Sequence, residues 1–280
     1  MTRILILFFL VPICLQAKTN PDSLLTIWKD RSIPDSERIS AFSSYILNEF
    51  MYSDPDSAFI LASELLGFSE NHNNLKGKAN ALNLQGVSKD IRGSSSQALD
   101  LFRKSLAISI EIGDKDRIGA SLNNIGIIYE DHGDYLEALD HYEQSLAIYE
   151  EIGKEDGIAR ALGNIGDIYK AHRNLSRALE YYQECLSIRE SIGVSTGSSL
   201  KDIGEIYLYQ NEYEDALVYF NRSYIQYEQQ GNKRGMAHSL SNIGKVYKEI
   251  GEYNRALDYN DQSLTLLEET GDQPAMANLL

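Results

Sequence analysis

The chain runs to 280 residues, 43% of them hydrophobic and 24% charged, with only 5 prolines. That composition belongs to a folding chain, and the scarcity of proline and of β-branched runs favours helices. A formal net charge of −15 argues against DNA or RNA as the main partner and reads as a solubility feature.

Residues 1–17, MTRILILFFLVPICLQA, place Arg3 ahead of an apolar run from Ile4 to Cys14 and close on small Ala17. This is the pattern of a secretory signal peptide, and the run falls short of the roughly 20 residues a membrane span needs. An exported, periplasmic or extracytoplasmic location is therefore expected. Lipidation at Cys14 is disfavoured because Ile13 stands where that processing prefers a small residue. After cleavage only Cys185 remains, so no intramolecular disulfide can form and packing alone holds the fold. Residues 18–35, with the stretch PDSLLTIWKD, read as a capping segment with a short helix. Residues 36–74 read as a degenerate first repeat, because Ala58 stands forty residues ahead of Ala98.

From residue 75 the chain repeats itself. A glycine recurs inside a helical pattern at Gly86, Gly126, Gly166, Gly204 and Gly244, at steps of 40, 40, 38 and 40. An Ala-Leu pair follows each time, starting at Ala98, Ala138, Ala178, Ala216 and Ala256, and a terminating glycine closes each unit at Gly113, Gly153, Gly193, Gly231 and Gly271. Three markers share one register, including the same two-residue shortfall, which defines units 75–114, 115–154, 155–194, 195–232 and 233–272. Residues 273–280 start a further unit. Within a unit, Leu122, Ile125, Gly126 and Tyr129 form one apolar stripe. The turn at His132 to Tyr135 follows, and a second helix carries Ala138, Tyr142 and Ser145. Each hairpin cannot bury its own apolar faces, but stacked copies can. Gly126 costs about 1 kcal/mol in helix propensity relative to alanine, which implies that it and Ala138 are small so that the paired helices can approach.

On these residues the chain resembles the tetratricopeptide repeat family in its form of about forty residues. Leu122, Ile125, Gly126, Tyr129, Ala138, Tyr142 and Ser145 fit its pattern, and the units of Gly166 and Gly204 fit likewise. The last unit departs at Asn260, where an aromatic is usual, with Tyr259 one position early. The unit of Gly86 departs at Gln85 and Lys89. The resemblance implies an all-α, right-handed superhelical solenoid of antiparallel hairpins acting as a non-catalytic scaffold that binds a protein or peptide. The signal peptide, the PDSLL lead-in and the repeats together also resemble the extracytoplasmic sensor half of Bacteroidetes-type signalling proteins. That would make the chain the input region of a longer receptor with a cyclase, histidine kinase or helix-turn-helix output, tethered to the membrane only through a further C-terminal segment. Self-association without a peptide ligand is the third alternative.

No phosphate-cradling glycine loop, nucleophile elbow or HExxH pair is present, so neither enzyme chemistry nor a cofactor is expected. His132 and His172 are equivalent positions on packed units. Helices about 8–10 Å apart cannot share zinc at about 2.0–2.1 Å, so no metal site is expected. Cys185 sits at a small interior position, and acidic runs such as EEIGKED fall at hairpin ends as solvated charge. The resemblance puts the first helix of each hairpin on the concave groove, with the position two before the glycine facing the ligand: Asn124, Asn164, Asp202 and Asn242. Asparagine can both donate to and accept from a peptide backbone. The expected groove set is Asn83, Asn123, Asn124, Arg160, Asn164, Lys170, Lys201, Asp202, Asn242 and Lys245, giving a groove more basic in its later half. The alternative is that the asparagines bond to neighbouring helices. The family's carboxylate clamp is not expected, because Lys201 is followed by Glu205 rather than the partner asparagine.

Overall fold

The computed structural model describes residues 20–271 and Met276; the signal-peptide segment and most of 273–280 lie outside the described residues. Among the described residues the chain forms thirteen α-helices and no strand. α1 (Pro21–Lys29) precedes α2 (Asp35–Tyr45), which a π-helical turn at Ile46–Phe50 extends, and α3 (Pro55–Asn71). Five hairpins follow: α4 (Leu75–Ile91) with α5 (Ser95–Ile112), α6 (Lys115–Asp131) with α7 (Tyr135–Ile152), and α8 (Glu155–Ala171) with α9 (Leu175–Ser191). The last two are α10 (Gly197–Tyr209) with α11 (Tyr213–Gln229), and α12 (Lys233–Ile250) with α13 (Tyr253–Thr270). The even-numbered helices from α4 on are the first, or A, helices and the odd-numbered ones the B helices.

The ends of these helices follow from local chemistry. Side-chain oxygens of Asn74, Asp114, Asn174 and Asn232 accept from the backbone N–H three residues on, occupying donors that a helix start leaves open. After α7 the chain turns left-handed at Gly153 (φ 64°), and Lys154 N–H donates to the Tyr149 carbonyl, closing the helix. The turn inside each hairpin also needs a positive φ. Gly133 supplies it freely (φ 80°), while Arg173 holds the same position at φ 59°.

The repeat glycines are seats for aromatic rings. A Cβ on Gly126 would lie 2.6 Å from Cε1 of Tyr142, one on Gly166 2.7 Å from Tyr182, and one on Gly204 2.7 Å from Phe220. The contact is therefore ring on backbone, with the B-helix aromatic filling the space that the missing side chain leaves. In the last hairpin Asn260 takes that seat over Gly244. Tyr259 does not fill it: the ring stacks on Tyr247 at 5.4 Å, as Tyr181 does on Tyr169 and His141 on Tyr129.

A second set of glycines joins successive hairpins. Tyr149 of α7 is wedged between Gly119 of α6 and Gly157 of α8, and Tyr227 of α11 between Gly197 and Gly235. Buried serines add a polar thread. Ser105, Ser145, Ser223 and Ser263 donate to the carbonyls of Ala79, Gly119, Gly197 and Ala237, each at 2.8 Å. Cys185 occupies the same place in α9, buried beside Ser199 Oγ at 3.4 Å.

At the start of the array, Trp28 of α1 stacks on Phe42 of α2 at 4.2 Å, so α1 closes the apolar end of the first hairpin. A helices pack on the next A helix (α4 on α6, α6 on α8, α10 on α12), whereas successive B helices stay further apart. A two-layer stack with one layer more tightly spaced must curve with that layer inside. The A helices therefore line the inner face.

Candidate functional site

The inner face starts as a row of polar side chains about one repeat apart in sequence. Asn80 donates to Ser43 Oγ and accepts from Arg117 Nη1 at 2.7 Å. Asn124 Nδ2 donates to Asn83 Oδ1 at 2.9 Å, and Asn164 Nδ2 to Asn123 Oδ1 at 2.9 Å. The asparagines thus bond to neighbouring helices, but they differ in what they leave over. Asn83 and Asn124 are half-buried, and their bond leaves the Nδ2 of Asn83 and the Oδ1 of Asn124 without a partner among the described residues. Asn123, 1% exposed, and Asn242, 5% exposed, are interior. Asn123 faces α8, from which Asn164 donates to it, while Asn242 stands at the register position of Asn124 and Asn164 and accepts from Lys245.

Charge on the inner face differs from the expectation of a basic later half. Lys170 Nζ lies 3.2 Å from Asp167 and 3.1 Å from Glu205, and Lys201 Nζ lies 2.7 Å from Asp202 and 3.4 Å from Glu205. Both ammonium groups are engaged by three carboxylates. Burial alone would lower the Lys170 and Lys201 pKa values, but these carboxylates outweigh it and raise both. Burial raises the Asp202 carboxyl, while for Glu205 the two lysines prevail over burial and lower it. Arg160 is paired with Asp156 at 2.7 Å, and Lys245 donates to Asn242 at 3.0 Å. Of the four ion pairs of Lys170 and Lys201, three lie within one helix, between residues one, three or four apart, and only Lys170–Glu205 joins two helices.

An apolar opening lies earlier in the array. A cavity of about 550 Å³ is bounded by Leu47 of the π-helical turn and Tyr52 just after it, by Asn83, Val87 and Ile91 of α4, by Asn124 and Ile127 of α6, and by Arg160. Leu47 is 42% and Tyr52 82% exposed, unusual values for large apolar side chains beside a cavity. At the far end stands Asp90, with Asp131 near enough to act on it, and neither makes an ion pair among the described residues; Glu130 lines a separate opening with Lys170 and Arg173. Burial, and then Asp131, raise the Asp90 carboxyl; burial also raises that of Glu130, against a hydrogen bond from the Tyr142 hydroxyl at 2.7 Å. Sequence reasoning named Asn83, Asn123, Asn124 and Arg160 here but missed Leu47, Tyr52, Val87, Ile91 and Ile127. Their signal was present as apolar residues off the packing stripe.

The remaining candidates are structural. His132 and His172 each donate Nδ1–H to a carbonyl of their own helix, Ile128 and Ile168, at 2.7 and 2.9 Å. Among the described residues no group of three or more His, Cys, Asp or Glu side chains is placed to hold a metal, and no helix is long and apolar enough to cross a membrane.

Comparison with known proteins agrees with this architecture. The family model described as tetratricopeptide repeat matches residues 77–151, 117–191 and 195–269. No curated protein matches the chain. Among solved structures, BtubC (BKLC) from P. vanneervenii is similar with a TM-score of 0.66 at 19% identity, over 78% of this chain and 93% of that one. Aspartyl phosphate phosphatase F from Bacillus subtilis gives 0.66 at 15% identity, over 92% of this chain and 76% of the other. A Rap protein complexed with Competence and Sporulation Factor gives 0.69 at 11% identity, over 92% and 73%. Identities this low speak to fold alone. Repeats, ring-on-glycine hairpins and the family match together establish that the chain belongs to the tetratricopeptide repeat family.

Proposed function

We propose that the protein is a non-catalytic scaffold that holds an extended segment of a partner protein across its inner face, centred on the cavity between α4 and α6. The observation that carries this reading is the cavity itself: exposed Leu47 and Tyr52 face half-buried asparagines with unused amide groups. An extended peptide has unpaired backbone N–H and C=O groups at every residue, which suit amide side chains. It also offers apolar side chains for a pocket of this size. The structural neighbour solved with Competence and Sporulation Factor is consistent with a ligand-holding role for the fold.

The leader MTRILILFFLVPICLQA supports an exported scaffold that works on the extracytoplasmic side of a membrane. The same leader suits the input region of a longer signalling receptor. Reading the gene past Leu280 distinguishes the two, since a receptor requires a membrane span and an output domain. Light scattering tests self-association.

The direct test is binding to an array of synthetic nonapeptides containing leucines at varied positions. The triple variant Leu47→Ser, Asn83→Ala, Asn124→Ala should lose binding by tenfold or more with helicity unchanged. Replacing both bonded asparagines leaves no partner stranded. Reversal of the outer residues Glu150 and Glu151 to lysine should leave binding intact. Loss through the outer substitutions and not the inner ones would overturn the reading.

A further inference from the structure

The inner cavity has two chemically different ends, and one carries uncompensated charge. Its apolar wall is built by Leu47, Val87, Ile91 and Ile127. One helical turn beyond Val87 on α4 stands Asp90, and one turn beyond Ile127 on α6 stand Glu130 and Asp131. The carboxylates of Asp90 and Asp131 sense each other, as do those of Glu130 and Asp131. Lys170 acts on Glu130 and is paired with Asp167 and Glu205, and Arg173 lies over the Tyr209 ring. Arg160 is paired with Asp156, Arg92 with Asp56, and Lys89 lies over the Phe59 ring, which leaves Asp90 and Asp131 without an ion-pair partner among the described residues. His132, which faces Asp90, has its Nδ1–H committed to the Ile128 carbonyl. A C-terminal helix end adds negative potential from its aligned peptide dipoles, and α4 and α6 both end at this rim.

We propose that the partner segment is cationic: an extended peptide that sets an aliphatic side chain against the wall of Leu47, Val87, Ile91 and Ile127 and places a lysine or arginine within reach of Asp90 and Asp131. The proposal rests on the groove reading above and adds the chemistry of the occupant. Charge complementarity selects the sign. An acidic segment would bring a like charge to two carboxylates that already repel each other, whereas a basic one relieves that repulsion. In an extended chain, residues i and i+2 point to the same side and lie about 6–7 Å apart. That lets one peptide present both groups to adjacent turns of a helix.

The same nonapeptide array provides the test, with each leucine peptide made in lysine, serine and glutamate forms at every spacing. Lysine forms should bind at least tenfold tighter than glutamate forms at low salt. The difference should shrink as the screening length falls from about 30 Å at 0.01 M to about 10 Å at 0.1 M ionic strength. The variant Asp90→Asn, Asp131→Asn should reduce the lysine preference while retaining binding of the serine forms, and Asp90→Lys, Asp131→Lys should reverse it, helicity being checked for each. Glutamate forms binding as tightly as lysine forms, or a lysine preference unchanged in the asparagine variant, would overturn the proposal. Serine forms that bind the wild type and are lost with Leu47→Ser, Asn83→Ala, Asn124→Ala keep the groove reading alive through that outcome. Absence of binding by every peptide form overturns both.

Discussion

The ring of Tyr142 lies on the bare backbone of Gly126, so close that a single added methyl group would fall 2.6 Å from Cε1. Gly126→Ala therefore sets two known effects against each other. Alanine improves helix propensity by about 1 kcal/mol, while overpacking a buried ring typically costs about 1–3 kcal/mol. Net destabilisation is expected, read as a lower thermal midpoint. Gly166→Leu, against Tyr182, should be worse. Gly244→Ala should cost less, because the nearest group is the side-chain end of Asn260, which can swing away, although the Ala256 carbonyl at 3.2 Å still has to yield. Equal or higher midpoints for Gly126→Ala would show that the ring moves freely.

Cys185 stands where four other B helices carry a serine that donates to the carbonyl 26 residues before it. In Cys185→Ser the new hydroxyl would face the Ala159 carbonyl in the same geometry. A hydrogen bond of this kind contributes about 0.5–1.5 kcal/mol, partly offset by burying a more polar group. The expected result is a stability equal to or up to about 1 kcal/mol above the wild type in urea titration. A clear loss would mean that the local backbone in α8 and α9 departs from the other repeats.

The joint between α9 and α10 is the weak interface of the array. α10 has 13 residues against 17 or 18 in the other A helices of the five hairpins, and the absent first turn leaves an open pocket of about 360 Å³ between Glu190, Val194, Leu200, Arg222 and Ile225. Some compensation is visible, as Arg189 Nη1 donates to Ser198 Oγ at 2.9 Å and Gly197 sits beneath Tyr227. In a solenoid, stability is a sum of repeat and neighbour terms, so thin burial here should separate two cooperative blocks. Hydrogen exchange should be fast across residues 194–199 relative to α9 and α11. Uniform protection through this region would refute the seam.

Glu130 should make the fold respond to acid in a recognisable direction. Burial, aided by Asp167 and Asp131, raises its carboxyl pKa despite the Tyr142 hydroxyl. A raised carboxyl binds its proton more tightly in the folded state, so its contribution is present below the ordinary glutamate value of about 4.3 and is lost as pH rises through the raised value. Glu130→Gln keeps an oxygen for the Tyr142 hydroxyl and removes the charge. It should raise the thermal midpoint at pH 7 and leave it unchanged at pH 3. A gain at pH 3 with none at pH 7 would reverse the assignment.

The sequence alone determined the hairpins, their register and the short joint before the fourth hairpin, because each depends on spacing along a single helix or on the backbone needs of a turn. Gly153 ends α7 by its left-handed φ, and Leu122, Ile125 and Gly126 share a stripe by helical geometry. Only the tertiary structure decided which partners lie across the gaps between helices. Gly197 is by propensity a poor helix former, yet it is the seat for Tyr227, a residue of another helix. Lys170 looked like a groove cation, yet Glu205 of α10 reaches it from across the gap. Asn83, Asn123 and Asn124 looked alike, but the tight spacing of the A helices buries Asn123 and leaves the other two at the edge of the cavity. Periodicity fixes which face a side chain occupies on its own helix; the distance and curvature between helices fix what that face meets.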